Sequence, residues 1–323
     1  MNFRTIVTPP RSESKITHHK GVVMIGSCFA ESMAQRMKRQ LFRVNSNPFG
    51  PLYNPASIEH MIDRAVNEIP FDESEMIERD GSWYSLYCHT LLSAPSAASL
   101  ATILNQRLKT LKNDIAAASH IFITFGTAYT FRYRPTGNIV GNCQKLPASD
   151  FERELMSVDQ TTEAVSHTVG LLRQINSDIK IWLTVSPIRH TADGAHGNLI
   201  SKSTLLLACH RAGDASGIDY FPSYEIMTDD LRDYRFYAPD MVHPSDQAAD
   251  YIYERFGETF FSPATLNDAR RYEKITRRLS HRPLSSDRQL IDRFKATTTE
   301  IITRLEAEHP YLSEAISQLN IEK

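Results

Sequence analysis

No apolar run in the 323-residue chain approaches the roughly 18 residues that a membrane span requires. The first twenty residues lack the apolar stretch of a secretory signal, so the cytoplasm is the expected compartment. Charge of one sign is equally scarce: 36 Lys and Arg against 38 Asp and Glu leave a formal net charge of -2, with no global pull toward nucleic acid or anionic membrane. The four cysteines, Cys28, Cys88, Cys143 and Cys209, are scattered without a CxxC pair or zinc-finger spacing, which speaks against a disulfide framework or a structural metal. Cys88-His89 is an adjacent Cys/His pair and reads as a buried thiol beside a polar neighbour. The absence of both GxGxxG and the Walker sequence weighs against nucleotide binding. Repeats and low-complexity tracts are missing as well. What remains is an ordinary globular composition, 41% hydrophobic and 23% charged, long enough for one domain of about 250 residues plus an appendage.

Short β-branched apolar segments alternate with helical periodicity. Residues 21–25, 120–125 and 179–185 read as buried parallel strands, and 218–221 as a short fourth. Ala30, Met33, Ala34, Met37 and Leu41 fall at helical spacing after the first strand, predicting a helix over 28–41. Further helices are expected from Pro55, over 100–115, 158–175 and 199–211, and over 244–260 with Ala248, Ile252 and Phe256 in one stripe. Residues 45–55 are too dense in Pro and Asn for regular structure, and 129–134 with 138–143 read as a hairpin. The alternation implies a three-layer α/β/α sandwich around a mainly parallel sheet, with the site beyond the carboxyl ends of the strands. Those ends fall at Gly26-Ser27-Cys28, Gly126-Thr127 and Ser186-Pro187-Ile188-Arg189-His190.

Near residue 263 the composition changes. Arg270, Arg271, Lys274, Arg277, Arg278 and Arg282 form a basic run, and Leu290, Phe294, Ile301 and Leu305 an amphipathic helix. The expected division is a main domain over 1–262 and a helical appendage over 263–323. In a near-neutral chain the basic run reads as a solvated or packed helix face rather than a nucleic-acid or membrane patch.

Two motifs carry chemistry. Ile25-Gly26-Ser27-Cys28-Phe29-Ala30 has the layout of strand, tight turn with a small nucleophile, and helix. Asp240-Met241-Val242-His243 sets a carboxylate three residues before an imidazole. Nucleophile, base and orienting acid are what acyl transfer needs. The first motif resembles the signature of the GSCFA family. Asn47-Pro48-Phe49-Gly50, Ser186-Pro187-Ile188-Arg189-His190 and Arg232-Asp233-Tyr234-Arg235-Phe236-Tyr237 also look like its pattern, over residues 3 to 260. That family is in turn similar to the SGNH (GDSL-like) hydrolases, so the resemblance implies a flavodoxin-like fold and an esterase, deacetylase or acyltransferase activity with no metal or organic cofactor.

Carried over without a gap, the SGNH nucleophile falls on Cys28, with Ser27 the alternative if the turn shifts by one. The base falls on His243 and the acid on Asp240. The helix amide at Cys28 and the Gly50 amide are the implied oxyanion donors. The Asn expected after Gly126 is missing, so the Thr127 hydroxyl or Asn47 stands in its place. A helix N-terminus and a nearby imidazole are expected to lower the Cys28 pKa. Asn47, Arg189, His190 and Arg235 are candidates for binding a polar substrate, a small molecule or glycan carrying an acyl group. The reading from another class is a non-catalytic flavodoxin-like module that binds a ligand or partner at the Gly26 turn.

Overall fold

The structure, a computed structural model, describes residues 4–280 and 287–321. Arg282 of the basic run lies outside the described residues. In chain order the strands are β1 (Gly21–Gly26), β2 (Val44–Ser46), β3 (Met76–Arg79), β4 (Ser82–Ser85), β5 (Ser93–Ala94), β6 (Ala118–Phe125), β7 (Tyr129–Tyr133), β8 (Ile139–Val140), β9 (Phe151–Leu155), β10 (Lys180–Val185) and β11 (Asp219–Tyr220). The helices are α1 (Cys28–Arg39), α2 (Pro55–Val66), α3 (Ala97–Ala117), α4 (Val158–Ile175), α5 (Gly194–Ser216), the single turn α6 (Ser223–Glu225), α7 (Asp246–Phe260), α8 (Pro263–Ser280), α9 (Arg288–Glu308) and α10 (Ser313–Ile321).

Five strands form one parallel sheet in the order β11-β10-β6-β1-β2. Counted along the chain this is the flavodoxin order 2-1-3-4-5, whose switch point lies between β1 and β6. Alternate residues of each strand face opposite layers because a pleated strand has period two. Val23, Ile25, Ile121, Ile123, Ile181 and Leu183 join a core with α2, α3, α4 and α5. Val22, Met24, Phe122 and Trp182 join the other core with α1 and α7. The helix capped by Ser245 carries Ala248, Ile252 and Phe256 as its buried stripe, as its spacing predicts.

Three features depart from the sequence reading. Val44–Ser46 pairs with β1 as an edge strand where a loop is expected. Residues 76–94 form a small antiparallel sheet, β3-β4-β5, and the expected hairpin β7-β8 gains β9 on its far side. In α9 the expected apolar stripe is buried unevenly: Leu305 is buried, whereas Leu290 is exposed. Around Leu305, Tyr272, Leu312, Ala315 and Ile316 close a satellite core over Leu41. Within the basic run Arg277 pairs with Glu273 at 2.7 Å, Arg271 with Glu308 at 3.5 Å, and Arg278 lies over the Phe294 ring. Among the described residues, no helix is long and apolar enough to cross a membrane.

Candidate active site

The turn after β1 is forced by backbone geometry. Gly26 has φ 133°, and the Ser27 amide donates to the Thr124 carbonyl at 3.0 Å, so the chain leaves β1 while still clamped to β6. Ser27 then caps α1: its hydroxyl accepts from the Phe29 amide at 3.3 Å and its side chain is buried. Cys28 is the first residue of the helix and stays partly open to solvent. Asn47 holds this turn from the next strand. Its Oδ1 accepts from the Gly26 amide at 2.8 Å and its Nδ2 donates to the Ser27 carbonyl at 3.3 Å.

From the far end of the sheet a loop brings up the second motif. One Asp240 oxygen accepts the amides of Val242 (2.9 Å) and His243 (3.0 Å), closing a tight Asx-type turn, while Met241 takes the left-handed φ of 57°. The other oxygen accepts from His243 Nδ1 at 2.7 Å. That bond leaves Nε2 facing the Cys28 sulfur at 3.6 Å. Residues 215 positions apart therefore meet as thiol, imidazole and carboxylate. Arg189 braces the loop, its amide donating to the Val242 carbonyl and its guanidinium to that of Met241, both at 3.1 Å.

The electrostatics differ from expectation at one point. Burial pushes the Cys28 thiol above its ordinary range, and this outweighs the opposing pull of its own amide, the Lys202 ammonium and the Phe29 amide. The helix N-terminus does favour the thiolate, but desolvation wins. Asp240 lies at about 2, held down first by the His243 and Val242 amides and then by the ring it accepts from. His190, at the end of the loop after β10, is lowered to about 4 by burial and by Lys202, and its Nε2 is buried without a hydrogen-bond partner.

Several expected site residues are spent elsewhere. The Gly50 amide donates to the Asn47 carbonyl at 2.8 Å, which removes it as a free oxyanion donor. The position needs glycine twice over, for its positive φ of 75° and because a Cβ there would overlap the His89 side chain. Asn47 uses both ends of its amide on the nucleophile turn, so it shapes that turn rather than reaching a substrate. The Thr127 hydroxyl lies 3.0 Å from that of Ser201 and accepts from the Tyr129 amide. Arg235 pairs with Asp233 at 3.0 Å and is largely exposed. Asn142 and Gln144 form a structural clasp: Asn142 accepts the Gln144 amide at 2.8 Å, and Gln144 is fully buried and donates to the Ser85 and Cys88 carbonyls, both at 2.7 Å. Cys88 is buried with its thiol pushed up to about 12. Among the described residues, no group of three or more His, Cys, Asp or Glu could hold a metal ion.

Two residues near the thiol escape sequence reasoning. Tyr53 packs on Gly126, and its hydroxyl is pushed up to about 12 by burial and by Cys28. It sits in a Pro-rich loop where nothing marks it. Lys202 is fully buried, with Nζ donating to the Gly126 carbonyl at 2.7 Å and the Ser186 carbonyl at 2.8 Å. A signal for it exists: it falls on the same helical stripe as Leu205, Cys209 and Ala212, where a lysine is out of place.

No curated protein matches the chain in sequence. Among solved structures it is similar to an acetyl xylan esterase (Est2A) from the rumen bacterium Butyrivibrio proteoclasticus, at 10% identity and a TM-score of 0.34. That match covers 75% of this chain and 64% of the esterase chain, so the chain spans less than two thirds of that protein. The model of the GSCFA family matches residues 21–256. This stretch runs from the first residue of β1 into α7 and contains both motifs of the thiol–imidazole–carboxylate cluster; the chain belongs to the GSCFA family.

Proposed function

We propose that the protein is an acyl hydrolase or acyltransferase that works through a covalent thioester on Cys28. The observation that carries this reading is the 3.6 Å approach of Cys28 Sγ to His243 Nε2, with Asp240 at 2.7 Å on the other ring nitrogen. A half-open thiol at a helix N-terminus, within reach of an oriented base, is the arrangement that nucleophilic acyl chemistry needs. In the first step Sγ attacks the carbonyl carbon of an ester or amide while His243 takes the thiol proton. The oxyanion develops against the Cys28 amide in the first turn of α1. The bond to the leaving group then breaks, and His243 returns the proton to that group. A water, deprotonated by the same ring, hydrolyses the thioester; an acceptor hydroxyl in its place gives transfer.

The proposed roles are Cys28 as nucleophile, His243 as general base and acid, and Asp240 as the group that fixes the ring. Ser27 is left as the cap of α1, and the helices beyond residue 262 contribute nothing to the reacting set. The substrate class that fits is an acyl group on a small polar molecule or glycan, with His190, whose Nε2 has no hydrogen-bond partner, near Gly126 and facing His243. The test is hydrolysis of p-nitrophenyl acetate, with mass spectrometry of the enzyme during turnover. Cys28→Ala should abolish hydrolysis and the acetyl adduct, and His243→Ala should leave residual activity lower by about two to four orders of magnitude. Full activity in Cys28→Ala, or its loss in Ser27→Ala alone, would overturn the assignment.

A further inference from the structure

A lysine is buried beneath the candidate site. Lys202 comes from α5, on the face that packs beneath the strand ends, and its ammonium joins two of them. It donates to Gly126, just past β6, and to Ser186, just past β10. Both carbonyls point out of the sheet where ladder bonding has stopped, so the ammonium satisfies groups that would otherwise be orphaned. β6 is the neighbour of β1 across the switch point, and Cys28 begins the helix after β1. The titratable groups that face the ammonium are Cys28 from α1, His190 from the loop after β10 and the Tyr224 ring of α6 at 5.7 Å. Asp193, Arg153 and His243 in turn face His190. Among the described residues, no carboxylate acts directly on Lys202, so its charge has no local counter-charge there.

We propose that Lys202 is a positioning residue for this site, a fixed cation that holds the tips of β6 and β10 and favours negative charge on the Cys28 sulfur and on the oxyanion that forms from it. This rests on Cys28 being the nucleophile, and it gives the site a positive group where the neutral Asn donor expected after Gly126 is missing. A buried ammonium costs stability unless it is both hydrogen-bonded and paired, and Lys202 has two carbonyl acceptors without a carboxylate partner among the described residues. Burial lowers Lys202 to about 7, while an anion at Cys28 raises it. Coupling of this kind is reciprocal: whatever the anion does to the lysine, the lysine does to the anion.

Reciprocity supplies a test that needs no turnover. In full-length protein labelled with [ε-13C]lysine, Cys28 is alkylated either with iodoacetate, which leaves a carboxylate, or with iodoacetamide, which leaves a neutral amide. Lys202, assigned by the signal lost in Lys202→Arg, should titrate about one unit higher in the carboxymethylated protein. Equal titration in the two adducts would overturn the proposal. A second arm follows iodoacetamide labelling of Cys28 against pH. Lys202→Gln keeps two donors without the charge and should label about tenfold more slowly than wild type at pH 6, a difference that closes by pH 9 as the wild-type ammonium loses its proton. Lys202→Arg should keep the faster rate at both. A ratio that does not change between pH 6 and 9 marks a purely structural lysine. An enzyme inactive on esters but with the lysine shift intact would refute the acyl reading alone.

Discussion

Replacing Gly26 with alanine isolates how the β1 turn sets the nucleophile. A Cβ at this position would overlap the Thr124 carbonyl oxygen and come within 2.7 Å of its carbon and 2.9 Å of its nitrogen. None of these is the end of a flexible side chain; all belong to the backbone of β6. Relief requires the tip of β1 to move by roughly 1 Å away from β6, given carbon contact distances near 3.5 Å. That motion breaks the 3.0 Å bond from the buried Ser27 amide to Thr124, and an unsatisfied buried amide costs about 1–3 kcal/mol. Holding a side-chain-bearing residue at φ 133° adds about 1–3 kcal/mol. The sum, about 2–6 kcal/mol, is a large part of a typical total of about 5–15 kcal/mol. Cys28 begins two residues later, so the same shift opens the 3.6 Å approach to His243, and a misplacement of about 1 Å costs on the order of a hundredfold in rate. Urea unfolding gives the stability change, and p-nitrophenyl acetate hydrolysis by the folded fraction gives the rate. A Gly26→Ala protein within about 0.5 kcal/mol of wild type and equally active would refute the account of the turn.

Asp240→Asn keeps an oxygen to accept the Val242 and His243 amides but removes the negative charge facing the ring. The variant should fold normally and lose about three to four orders of magnitude in kcat for ester hydrolysis; a loss under tenfold would remove Asp240 from the mechanism. Acid stability follows from three buried imidazoles. His18, stacked on Phe42 with Nε2 on the Gln40 carbonyl, His120 in β6 and His190 are each lowered from 6.5 to about 4, chiefly by burial. Their folded pKa values lie below the unfolded ones, so the unfolded chain binds more protons and stability falls as pH drops from 6.5 toward 4. The melting temperature should decline through that window by calorimetry, and less steeply in His120→Gln. A flat profile would contradict the burial of these rings.

The main sheet was readable because its inner strands are buried on both faces and so carry continuous β-branched apolar runs, such as Val22 to Ile25 and Ile121 to Phe125. The edge strand Val44–Ser46 has no such run; Asn45 donates to the Asp114 carboxylate instead of entering a core. β9 reads Phe-Glu-Arg-Glu-Leu, a surface strand whose three consecutive charges leave no apolar alternation and hide its pairing with β7. The Cys28, Asp240 and His243 cluster was legible because each motif is local, with its own turn fixing its own side chains. Asn47 was misread because its side chain bonds to the distant Gly26-Ser27 turn, and Gly50 because its amide closes a local turn onto the Asn47 carbonyl; sequence gives no count of which amides are already taken. The Cys28 pKa failed for a related reason. The amides and charged neighbours that lower it can be inferred from the motif, whereas the burial that raises it depends on segments far away in the chain.

That shift defines how the proposed chemistry must run. A thiol pushed up by burial rests protonated at neutral pH, so the site does not store a thiolate–imidazolium pair before substrate arrives. His243 has to remove the proton during attack, which demands that the ring be aimed in advance. Asp240 provides that aim independently of the ring's own charge: the first causes of its low pKa are the two backbone amides, and only then the His243 side chain. The carboxylate is therefore ionised before, during and after proton transfer, and it stabilises the imidazolium only while one exists. The same raised thiol closes the cycle. When the acyl group leaves, a thiolate in a half-buried pocket is a strong base and recovers its proton from His243. The ring is thereby returned to the neutral form that the next attack requires. Burial, which makes the nucleophile harder to ionise, also makes the resting state single and reproducible.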